Sequence, residues 1–491
     1  MSTAQQSQPS RTSLPSDTKP APTLSFLEGK WVKGPTSIPV LDKYTGEVFA
    51  EVSEPSKEQA AQAVRTLRQA VNVGAPPPHA RAAALRKCAE LLDKNRKRFI
   101  EHMVAEAGFT IADATGEVNR GMVTLMVSAE EATRVVGEQV CFASSPGQHN
   151  RLGFTIRVPL GIICAITPFN SPLNTVVHKV APSLAGGNAV ILKPAGFTPL
   201  TAALLVELLL EAGIPPAFLS LVQGRGSVIG NVLLNNQDID FYAFTGSTEV
   251  GTVLQQAAGL RKTQLELGSI ASTIVCDDAD LERALPKIAN ASFRKAGQVC
   301  TSIQRLYVQE GVVDQVLEGL KREISLMPAG DPQDPKTKVG PMISEFAAKR
   351  AELWLRAAVQ DGARLACGGQ RSRSVLQPAI VLDAKPGMQV LDQEIFAPAM
   401  CLIPFTTLEE AIRGANDQPY GLAAGIFTRD INKAVQAATA LRFGAIHINE
   451  TSSSRADAMP FGGVKASGHG MEGPKYTIRE VTEERLVTIT P

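Results

Sequence analysis

The chain has 491 residues, 44% of them hydrophobic and 20% charged, which is typical of a globular protein of two or three domains. Its 49 Lys and Arg residues nearly balance 48 Asp and Glu residues, so the net charge of +1 argues against a nucleic-acid partner or an anionic membrane surface. No apolar run approaches the roughly 20 residues that a membrane-spanning helix needs.

The first 22 residues are rich in Ser, Thr, Gln and Pro and lack the apolar segment of a signal peptide, so residues 1–22 are expected to form a disordered tail. The seven Cys residues are widely spaced and odd in number, which favours reduced thiols and a cytoplasmic location over disulfides. Neither the Cys nor the six His residues show ligand spacing, and no metal site is predicted.

Helical patterns occupy the first part of the chain. Ser56 and Gln59 form a capping-box pattern that opens a predicted helix ending near Val71. Two more helices are predicted over residues 79–105 and 112–136.

The pattern then changes to strands alternating with helices. A β-branched apolar run over 154–167 predicts one long strand. It is followed by strands at 189–193, 219–222, 241–245, 272–276 and 305–309, with helices near 200–212 and 227–235 between them. This alternation predicts an α/β protein in which helices cover both faces of parallel sheets.

Three residues carry candidate chemistry. Cys300, in GQVCTS at 297–302, follows a glycine turn, and a thiolate is a strong nucleophile toward carbonyl carbon; a buried inert thiol is the alternative. Glu266, in ELGS at 266–269, offers a carboxylate that can activate water, although a lone Glu is usually a surface charge. Asn170, in TPFNSP at 167–172, offers an oxyanion donor or merely a turn residue.

Glycine-containing turns at 191–196 and 244–251 lie between predicted strands and helices, where backbone amides can approach a phosphate. The usual G-x-G-x-x-G pattern is absent, and QGRGSVIG at 223–230 only approximates it. These turns alone therefore do not distinguish a dinucleotide-binding protein from other α/β proteins.

Seven motifs together are far more specific: TPFN, KPA, FTGSTEVG, LELG, GQVCTS, EIFAP and PFGGVKASG, in that order. With them, the chain from about residue 23 onward resembles the aldehyde dehydrogenase superfamily. The resemblance implies an aldehyde-dehydrogenase-like α/β fold: a Rossmann-type parallel-sheet NAD(P)-binding domain over 23–138 and 159–267, an α/β catalytic domain over 268–466, and a small β bridging element over 139–158 and 467–491. It also implies a homodimer or a dimer of dimers, because an uncovered terminal strand would be an exposed edge.

The resemblance assigns roles to the candidate residues. Cys300 matches the nucleophile that forms a thiohemiacetal and then a thioester, Asn170 the oxyanion donor and Glu266 the general base. Because coenzyme-A-acylating relatives generally lack this glutamate, the resemblance implies hydrolysis of the thioester. Lys179 matches a lysine in a proton relay. The implied cofactor contacts are Ile166, Thr167, Pro168, Phe169, Lys193, Ala195, Gly196, Gly226, Phe244, Thr245, Gly246, Ser247, Leu267, Gly268, Glu394 and Phe396.

The sequence departs from the family pattern in two places. Gly196 stands where the family usually has a Glu that repels a 2′-phosphate, so NAD or NADP is expected, with NAD favoured because no Arg or Lys lies beside Gly196. The expected substrate site is polar, and Arg120, His178 and Arg455 suggest recognition of a small polar or anionic aldehyde. The full set of expected substrate contacts is Arg120, Asn174, His178, Thr301, Arg455 and Phe461.

Two other functions compete with this interpretation. A cysteine hydrolase or esterase would pair Cys300 with a distant histidine such as His447 or His469. A non-catalytic binding protein on the same fold would be expected to lack Cys300, Glu266 or Asn170, and all three are present.

Overall fold

The computed structural model describes residues 23–490, and the predicted tail over 1–22 lies outside them. Its first large sheet has eight strands, and the five inner ones run parallel. Those inner strands are almost entirely buried, and all except Lys262–Glu266 are mainly apolar, as expected when helices cover both faces of a parallel sheet. The order across the sheet is Lys30–Val32, Ser25–Leu27, Leu219–Leu221, Ala189–Lys193, Ile162–Ile166, Phe241–Thr245, Lys262–Glu266 and Gly468–His469.

A second large sheet has seven strands, all parallel except for one antiparallel strand at its edge. The order is Arg364–Cys367, Ala379–Leu382, Ala399–Phe405, Ile303–Gln309, Ala271–Val275, Ala423–Phe427 and Ala445–Ile448. Each large sheet has its own apolar core. This confirms the predicted α/β class with two parallel sheets.

Three smaller sheets complete the strands. The C-terminal strand Thr482–Ile489 pairs antiparallel with Leu152–Pro159, which also pairs with Gln139–Val140. The other two are hairpin pairs: Thr36–Leu41 with Val48–Glu54, and Arg371–Ser372 with Val375–Leu376. The C-terminal strand therefore joins the 139–158 segment, while Gly468–His469 adds to the first large sheet. The division into domains at the predicted boundaries stays a prediction.

The α-helices of the described residues connect and cover these sheets. They are Lys57–Val73, Pro78–Lys94, Arg96–Ala107, Ile111–Glu131, Asn174–Ala185, Pro199–Glu211, Asn231–Leu234, Thr248–Ala258, Leu281–Phe293, Val313–Ser325, Glu345–Gln360, Gln389–Asp392, Leu408–Asn416, Ile431–Ala440 and Pro474–Glu480. Within residues 23–490, none of these helices is both long and apolar enough to cross a membrane.

Local predictions met different outcomes. The capping box is confirmed, since the Ser56 side chain accepts from Gln59 N and the Gln59 side chain accepts from Ser56 N. The single helix predicted over 79–105 is wrong: it breaks at Asn95, whose backbone leaves the helical region and whose side chain donates to Leu91 O. The long strand predicted over 154–167 is also divided, because Gly161 adopts a φ of 134° between strands of different sheets.

Candidate active site

The candidate nucleophile and base come from different sheets. Glu266 is the last residue of the strand Lys262–Glu266 in the first sheet. Cys300 lies three residues before the strand Ile303–Gln309 in the second sheet. Their side chains meet, and the Cys300 thiol donates to Glu266 Oε1 at an Sγ–Oε1 distance of 2.9 Å. The folded chain thus joins two groups that are 34 residues apart in sequence.

A tight turn sets the position of Cys300. After the helix Leu281–Phe293, the chain takes positive φ values at Lys295 (52°), Ala296 (52°) and Gly297 (66°). Residues other than glycine rarely adopt this left-handed backbone conformation, because it costs roughly 1–3 kcal/mol per residue. Gly297 has a second constraint, because a Cβ there would lie 2.1 Å from Ala397 O. The glycine of the GQVCTS motif is therefore required both by its backbone angle and by close packing.

Both reactive groups are protonated more readily than usual. Burial raises the pKa of the Cys300 thiol well above its ordinary value, and the neighbouring Glu266 raises it further. Burial also raises the pKa of the Glu266 carboxyl, with an added contribution from the charge of Glu472, while Arg455 and Lys179 oppose the shift. A thiolate can form here if Glu266 accepts the thiol proton over their short hydrogen bond.

Asn170 is held by a buried ion pair. Lys295 Nζ lies 2.6 Å from Glu117 Oε1 and also donates to Asn170 O and to Ser171 Oγ, at 3.2 and 3.1 Å. Burial alone would raise the pKa of Glu117, but the charges of Lys295 and Arg120 outweigh it and keep that pKa below its ordinary value. The pair fixes the backbone of Asn170, a residue that lines the same cavity as Cys300.

This cavity, of about 560 Å³, is lined by residues from both sheets and their connections. Most of the predicted site residues line it: Arg120, Thr167, Pro168, Phe169, Asn170, Ala195, Phe244, Thr245, Gly246, Ser247, Glu266, Leu267, Gly268, Cys300, Thr301, Glu394, Phe396, Arg455 and Phe461. The remaining predicted residues lie outside its lining, namely Ile166, Asn174, His178, Lys179, Lys193, Gly196 and Gly226.

Lys179 connects to the site through Glu472. Its Nζ lies 2.7 Å from Glu472 Oε1, and both side chains are almost fully buried. Arg455 Nη2 lies 2.8 Å from the other oxygen of Glu472. The hydroxyl of Thr245 lies between the two carboxylates, 3.1 Å from Glu266 Oε2 and 3.5 Å from Glu472 Oε1. A continuous polar chain therefore runs from Glu266 to Lys179.

Asp457 gathers three of the predicted substrate contacts. Its Oδ1 lies 2.8 Å from Arg120 Nη2, 3.0 Å from His178 Nε2 and 3.3 Å from Asn174 Nδ2. Burial opposes ionisation of Asp457, but the His178 hydrogen bond and the Arg120 charge hold its pKa well below the usual range. Asn174 and His178 therefore hydrogen-bond to Asp457 and do not line the cavity, whereas Arg120 lines it. Their role as substrate contacts stays a prediction.

On the cofactor side, a helix begins at the cavity. Ser247 caps the helix Thr248–Ala258 by accepting from Val250 N, directly after the strand Phe241–Thr245. Such a helix N-terminus at the carboxyl end of a parallel strand suits a phosphate group. Glu394 also lines the cavity and accepts from Ser269 N at 2.9 Å; burial raises the pKa of its carboxyl to about 7. These residues fit the charged and hydroxyl-bearing parts of a dinucleotide.

Lys193 ends the strand Ala189–Lys193, Gly196 lies in the segment that follows it, and Gly226 begins the short π-helix Gly226–Gly230. Lys193 Nζ donates to Pro194 O, and burial lowers its pKa to about 8. An added Cβ at Gly196 or Gly226 would meet open space. The loop after Leu219–Leu221 is held beside them, because Val222 N donates to Leu192 O.

Sequence reasoning missed several residues of the site. Arg294 and Lys295 stand shortly before Cys300, and their charge within an otherwise apolar approach to the nucleophile was an available signal. Glu117 lies outside the quoted motifs, and Asp457 and Glu472 lie just before and just after PFGGVKASG, but nothing in their local sequence indicates which side chains they contact. Other cavity residues that were not predicted are Thr175, Phe197, Val250, Gln298, Val299, Ile343, Ser344, Phe346, Ala347, Arg350 and Ser453.

The histidines of the competing hydrolase interpretation do not reach Cys300. His469 Nε2 lies 2.7 Å from Thr263 Oγ1, and His447 lies in the strand Ala445–Ile448; neither lines the cavity. Among residues 23–490 there is also no group of three or more His, Cys, Asp or Glu side chains able to hold a metal ion.

Comparison with known proteins agrees with this geometry. Residues 31–487 match the model of the aldehyde dehydrogenase family. A 3-sulfolactaldehyde dehydrogenase from Priestia aryabhattai is 43% identical over 464 residues, covering 94% of this chain and 97% of that protein. The chain therefore belongs to the aldehyde dehydrogenase family, and it is an NAD(P)-dependent enzyme that oxidises an aldehyde, as the resemblance implied.

Two solved structures are similar over nearly the whole chain. Aldehyde dehydrogenase 21 from Physcomitrella patens, in complex with the reaction product succinate, has a TM-score of 0.94 at 33% identity, covering 96% of this chain and 99% of that one. A glyceraldehyde-3-phosphate dehydrogenase from Methanocaldococcus jannaschii, complexed with NADP, has a TM-score of 0.89 at 34% identity, covering 92% of this chain and 99% of that one. The predicted aldehyde-dehydrogenase-like fold is confirmed.

Proposed function

We propose that this enzyme oxidises its aldehyde through covalent attachment to Cys300 and hydrolytic release by Glu266. The observation that carries the proposal is the 2.9 Å hydrogen bond from the Cys300 thiol to Glu266 in a cavity that Asn170 also lines. A nucleophile needs an adjacent base and an oxyanion donor, and these three residues supply them.

A nicotinamide cofactor held beside Glu394 and Ser247 would supply the hydride acceptor. Glu266 takes the thiol proton, and Cys300 Sγ attacks the aldehyde carbon. The side-chain amide of Asn170 donates to the oxygen of the thiohemiacetal, which becomes a thioester on Cys300 when hydride leaves. Once Glu266 has given up the thiol proton, it removes a proton from water, which attacks the thioester carbon; the carbon–sulfur bond breaks, and the acid and the Cys300 thiolate are released.

Hydrogen bonds connect the Glu266 carboxyl to a buried ion pair. Thr245 lies within hydrogen-bond distance of both Glu266 and Glu472, and Glu472 bonds to Lys179. We propose this chain as the relay in which Lys179 takes part. Because Glu472 also anchors Arg455, the relay and one cationic side chain of the cavity share a single carboxylate.

For the substrate, we propose a small polar or anionic aldehyde. Arg120 and Arg455 line the cavity near Cys300, and Arg455 lies over the Phe461 ring at 3.9 Å. The relative from Priestia aryabhattai is named for 3-sulfolactaldehyde, and the Physcomitrella patens structure holds succinate. A guanidinium can bind such an anion by charge-assisted hydrogen bonds.

For the cofactor, we propose that both NAD and NADP bind and that NAD is preferred. Arg225 follows the strand Leu219–Leu221, which pairs with the strand that precedes Gly196, and its guanidinium would suit a 2′-phosphate. It is neutralised by the buried Glu54, with Nη2–Oε2 at 2.7 Å. Glu54→Gln would leave Arg225 without its counter-charge and should lower the KM for NADP relative to NAD. An unchanged KM ratio would refute this account of the preference.

We further propose a homo-oligomer located in the cytoplasm. Among the described residues 23–490, the strand Thr482–Ile489 pairs on one edge only, and Leu486 and Ile489 are about half exposed. An open strand edge with apolar side chains favours pairing with another subunit. Sedimentation velocity should give a dimer or tetramer, and a monomer at micromolar concentration would contradict the proposal.

The test of the mechanism is Cys300→Ala, with Cys141→Ala as the matched control because Cys141 is an exposed free thiol. Cys300→Ala should abolish the absorbance increase at 340 nm with aldehyde and NAD while NAD binding survives. Cys141→Ala should keep activity. Oxidation retained in Cys300→Ala would refute the nucleophile, and a wild-type protein that hydrolyses an ester to its acid but forms no reduced cofactor with aldehydes would indicate a hydrolase.

A further inference from the structure

Lys295 has an unusual position in the turn that precedes Cys300. It and the next residue, Ala296, both hold a φ of 52° although neither is a glycine. Such backbone strain persists only where the surrounding structure over-determines it, and it is frequent at functional sites. The side chain of Lys295 is also buried, with 4% of its area exposed. The turn is thus held in a costly conformation that places an ammonium group in the interior.

The Lys295 ammonium contacts the segment that carries the expected oxyanion donor. Its Nζ lies 2.6 Å from Glu117 Oε1, and it donates to Asn170 O at 3.2 Å and to Ser171 Oγ at 3.1 Å. Nζ also lies 4.4 Å from the centroid of the Phe109 ring. Because Lys295 binds the main-chain oxygen of Asn170, it leaves the side-chain amide of that residue available to donate. One side chain therefore connects the turn before the nucleophile to the oxyanion donor.

Glu117 holds the same segment through both of its carboxylate oxygens. Oε1 accepts from Ser171 Oγ at 3.0 Å, and Oε2 accepts from Asn174 N at 2.9 Å. Asn174 is the first residue of a helix, where main-chain amides lack a partner within the helix. The segment from Asn170 to Asn174 is therefore fixed by Glu117 and, through it, by Lys295.

The stability of the protein does not by itself account for this ion pair. Desolvation of two buried charges offsets most of their attraction, so such a pair adds little net stability. Burial lowers the pKa of the Lys295 ammonium, and the charge of Glu117 opposes that shift. The contact does, however, join parts of the chain that belong to different large sheets. Because misplacement of a reacting group by about 1 Å can cost about 100-fold in rate, a fixed link between them has a catalytic use.

We propose that Lys295 is a positioning residue that sets the Asn170 oxyanion donor at the correct distance from Cys300, with Glu117 as its counter-ion. This inference rests on the proposed covalent mechanism and identifies the group that aligns two of its parts. Lys295 acts on the reaction through Asn170, so its contribution to the rate depends on the presence of the Asn170 side chain.

The experiment measures Lys295→Met in two backgrounds, the wild type and Asn170→Ala, at 340 nm with saturating NAD. The aldehyde is whichever of propanal, lactaldehyde and succinic semialdehyde the wild type oxidises fastest. Asn170→Ala alone should lower kcat/KM by about 100-fold, as loss of an oxyanion donor does. Lys295→Met should lower it by about 30-fold in the wild type, mainly through kcat, because the donor is misplaced. In Asn170→Ala, the same substitution should cost less than about threefold, because the group that it positions is already absent.

Because Lys295→Met leaves Glu117 as a buried carboxylate without its counter-ion, a second variant combines it with Glu117→Gln and so removes both charges. This variant should show the same dependence on the background. Two further readouts separate positioning from a general loss of structure. The KM for NAD should change less than about twofold in every variant, because cofactor binding is not involved. Alkylation of Cys300 by iodoacetamide should change less than about threefold, because it needs the thiolate but no oxyanion donor.

The matched control combines Lys321→Met with Glu318→Gln, another Lys–Glu pair, in which the two side chains are 36% and 67% exposed and 2.8 Å apart. Neither residue lines the cavity, and the kinetics of this control should match the wild type.

Equal losses from Lys295→Met in the two backgrounds would overturn the inference, because Lys295 would then act independently of Asn170. Wild-type activity in the variant without both charges would also overturn it, as would an alkylation rate that falls in parallel with oxidation. Full activity in Asn170→Ala would refute the oxyanion donor of the proposed function and this inference with it.

Discussion

Glu472 offers the sharpest test of the structure, because it holds two cations in a nearly dry environment. Glu472→Gln removes the negative charge but keeps the size of the side chain. Lys179, which has no exposed side-chain area, would then be a buried ammonium without a counter-ion. Burial opposes ionisation of Glu472, but Lys179 and Arg455 hold its pKa well below the ordinary range, so the carboxylate is charged at neutral pH.

The size of the effect follows from two distances, 2.7 Å to Lys179 and 2.8 Å to Arg455. At an effective dielectric constant of about 20, each contact contributes about 6 kcal/mol of Coulomb attraction. Desolvation offsets much of this, and removing one partner of a buried pair typically costs about 3–5 kcal/mol. We therefore expect the unfolding free energy of the Glu472→Gln variant to be about 3–5 kcal/mol lower than that of the parent protein.

Urea unfolding at pH 7.5, followed by tryptophan fluorescence, measures this loss. The chain has two tryptophans, Trp31 in the first sheet and Trp354 in the helix Glu345–Gln360. In a Trp354→Phe background, the remaining Trp31 reports on the sheet nearest Lys179. The contribution of Glu472 is present above the ordinary carboxyl pKa of 4.5 and is lost as the pH falls toward its lowered folded value, so the variant and parent should converge in acid.

Glu484→Gln is the control, because Glu484 is about half exposed and 3.6 Å from Arg157 in the same C-terminal region. Exposed pairs contribute about 0–1 kcal/mol, so its effect should be small. A loss below about 1 kcal/mol in Glu472→Gln would refute the reasoning that a buried pair broken on one side is strongly destabilising.

Three further predictions concern the site. The pKa of Glu394 is raised to about 7, so its carboxylate forms as the pH rises from 6 to 8. The KM for NAD should fall about fivefold over that range, because a carboxylate accepts hydrogen bonds from the ribose hydroxyls better than a carboxylic acid does. Glu394→Gln should abolish this pH dependence. Asp457→Asn should cost about 3 kcal/mol of unfolding free energy in urea, because Arg120 and His178 lose a buried partner. Gly297→Ala should lower kcat more than about 100-fold while NAD still binds, because the new Cβ displaces the Cys300 turn.

Each of these has a contrary result that would count against it. A pH-dependent KM that persists in Glu394→Gln would assign the titration to another group. Wild-type stability in Asp457→Asn would show that the cluster around Asp457 is solvated. Normal kcat in Gly297→Ala would show that the turn tolerates displacement.

The sequence was most informative where structure is local and periodic. The strands at 189–193 and 241–245 were predicted with their observed bounds, because a buried parallel strand requires a continuous apolar run. The predictions were wrong where a single residue interrupts a helix or a strand that the sequence pattern continues. Asn95 divides a helix whose apolar periodicity continues on both sides, and Gly161 divides a strand whose β-branched pattern does not change.

The site was predictable to the extent that motifs carry it. Cys300, Glu266 and Asn170 all line one cavity, as the resemblance implied. Their charged supports were not predictable, since Glu117 and Glu472 act through contacts 178 and 293 residues away in sequence. Only folding reveals such partners, and the same holds for Asp457, whose carboxylate pairs with Arg120 and His178.

The contact between Cys300 and Glu266 links two bodies that have separate apolar cores. Its length therefore depends on how those bodies are set against each other, and not on either one alone. The rate at which a small alkylating reagent modifies the Cys300 sulfur should therefore depend on the relative orientation of the two bodies. A distant change that moves one body by about an ångström relative to the other should alter that rate even when the apolar core of each body is unchanged.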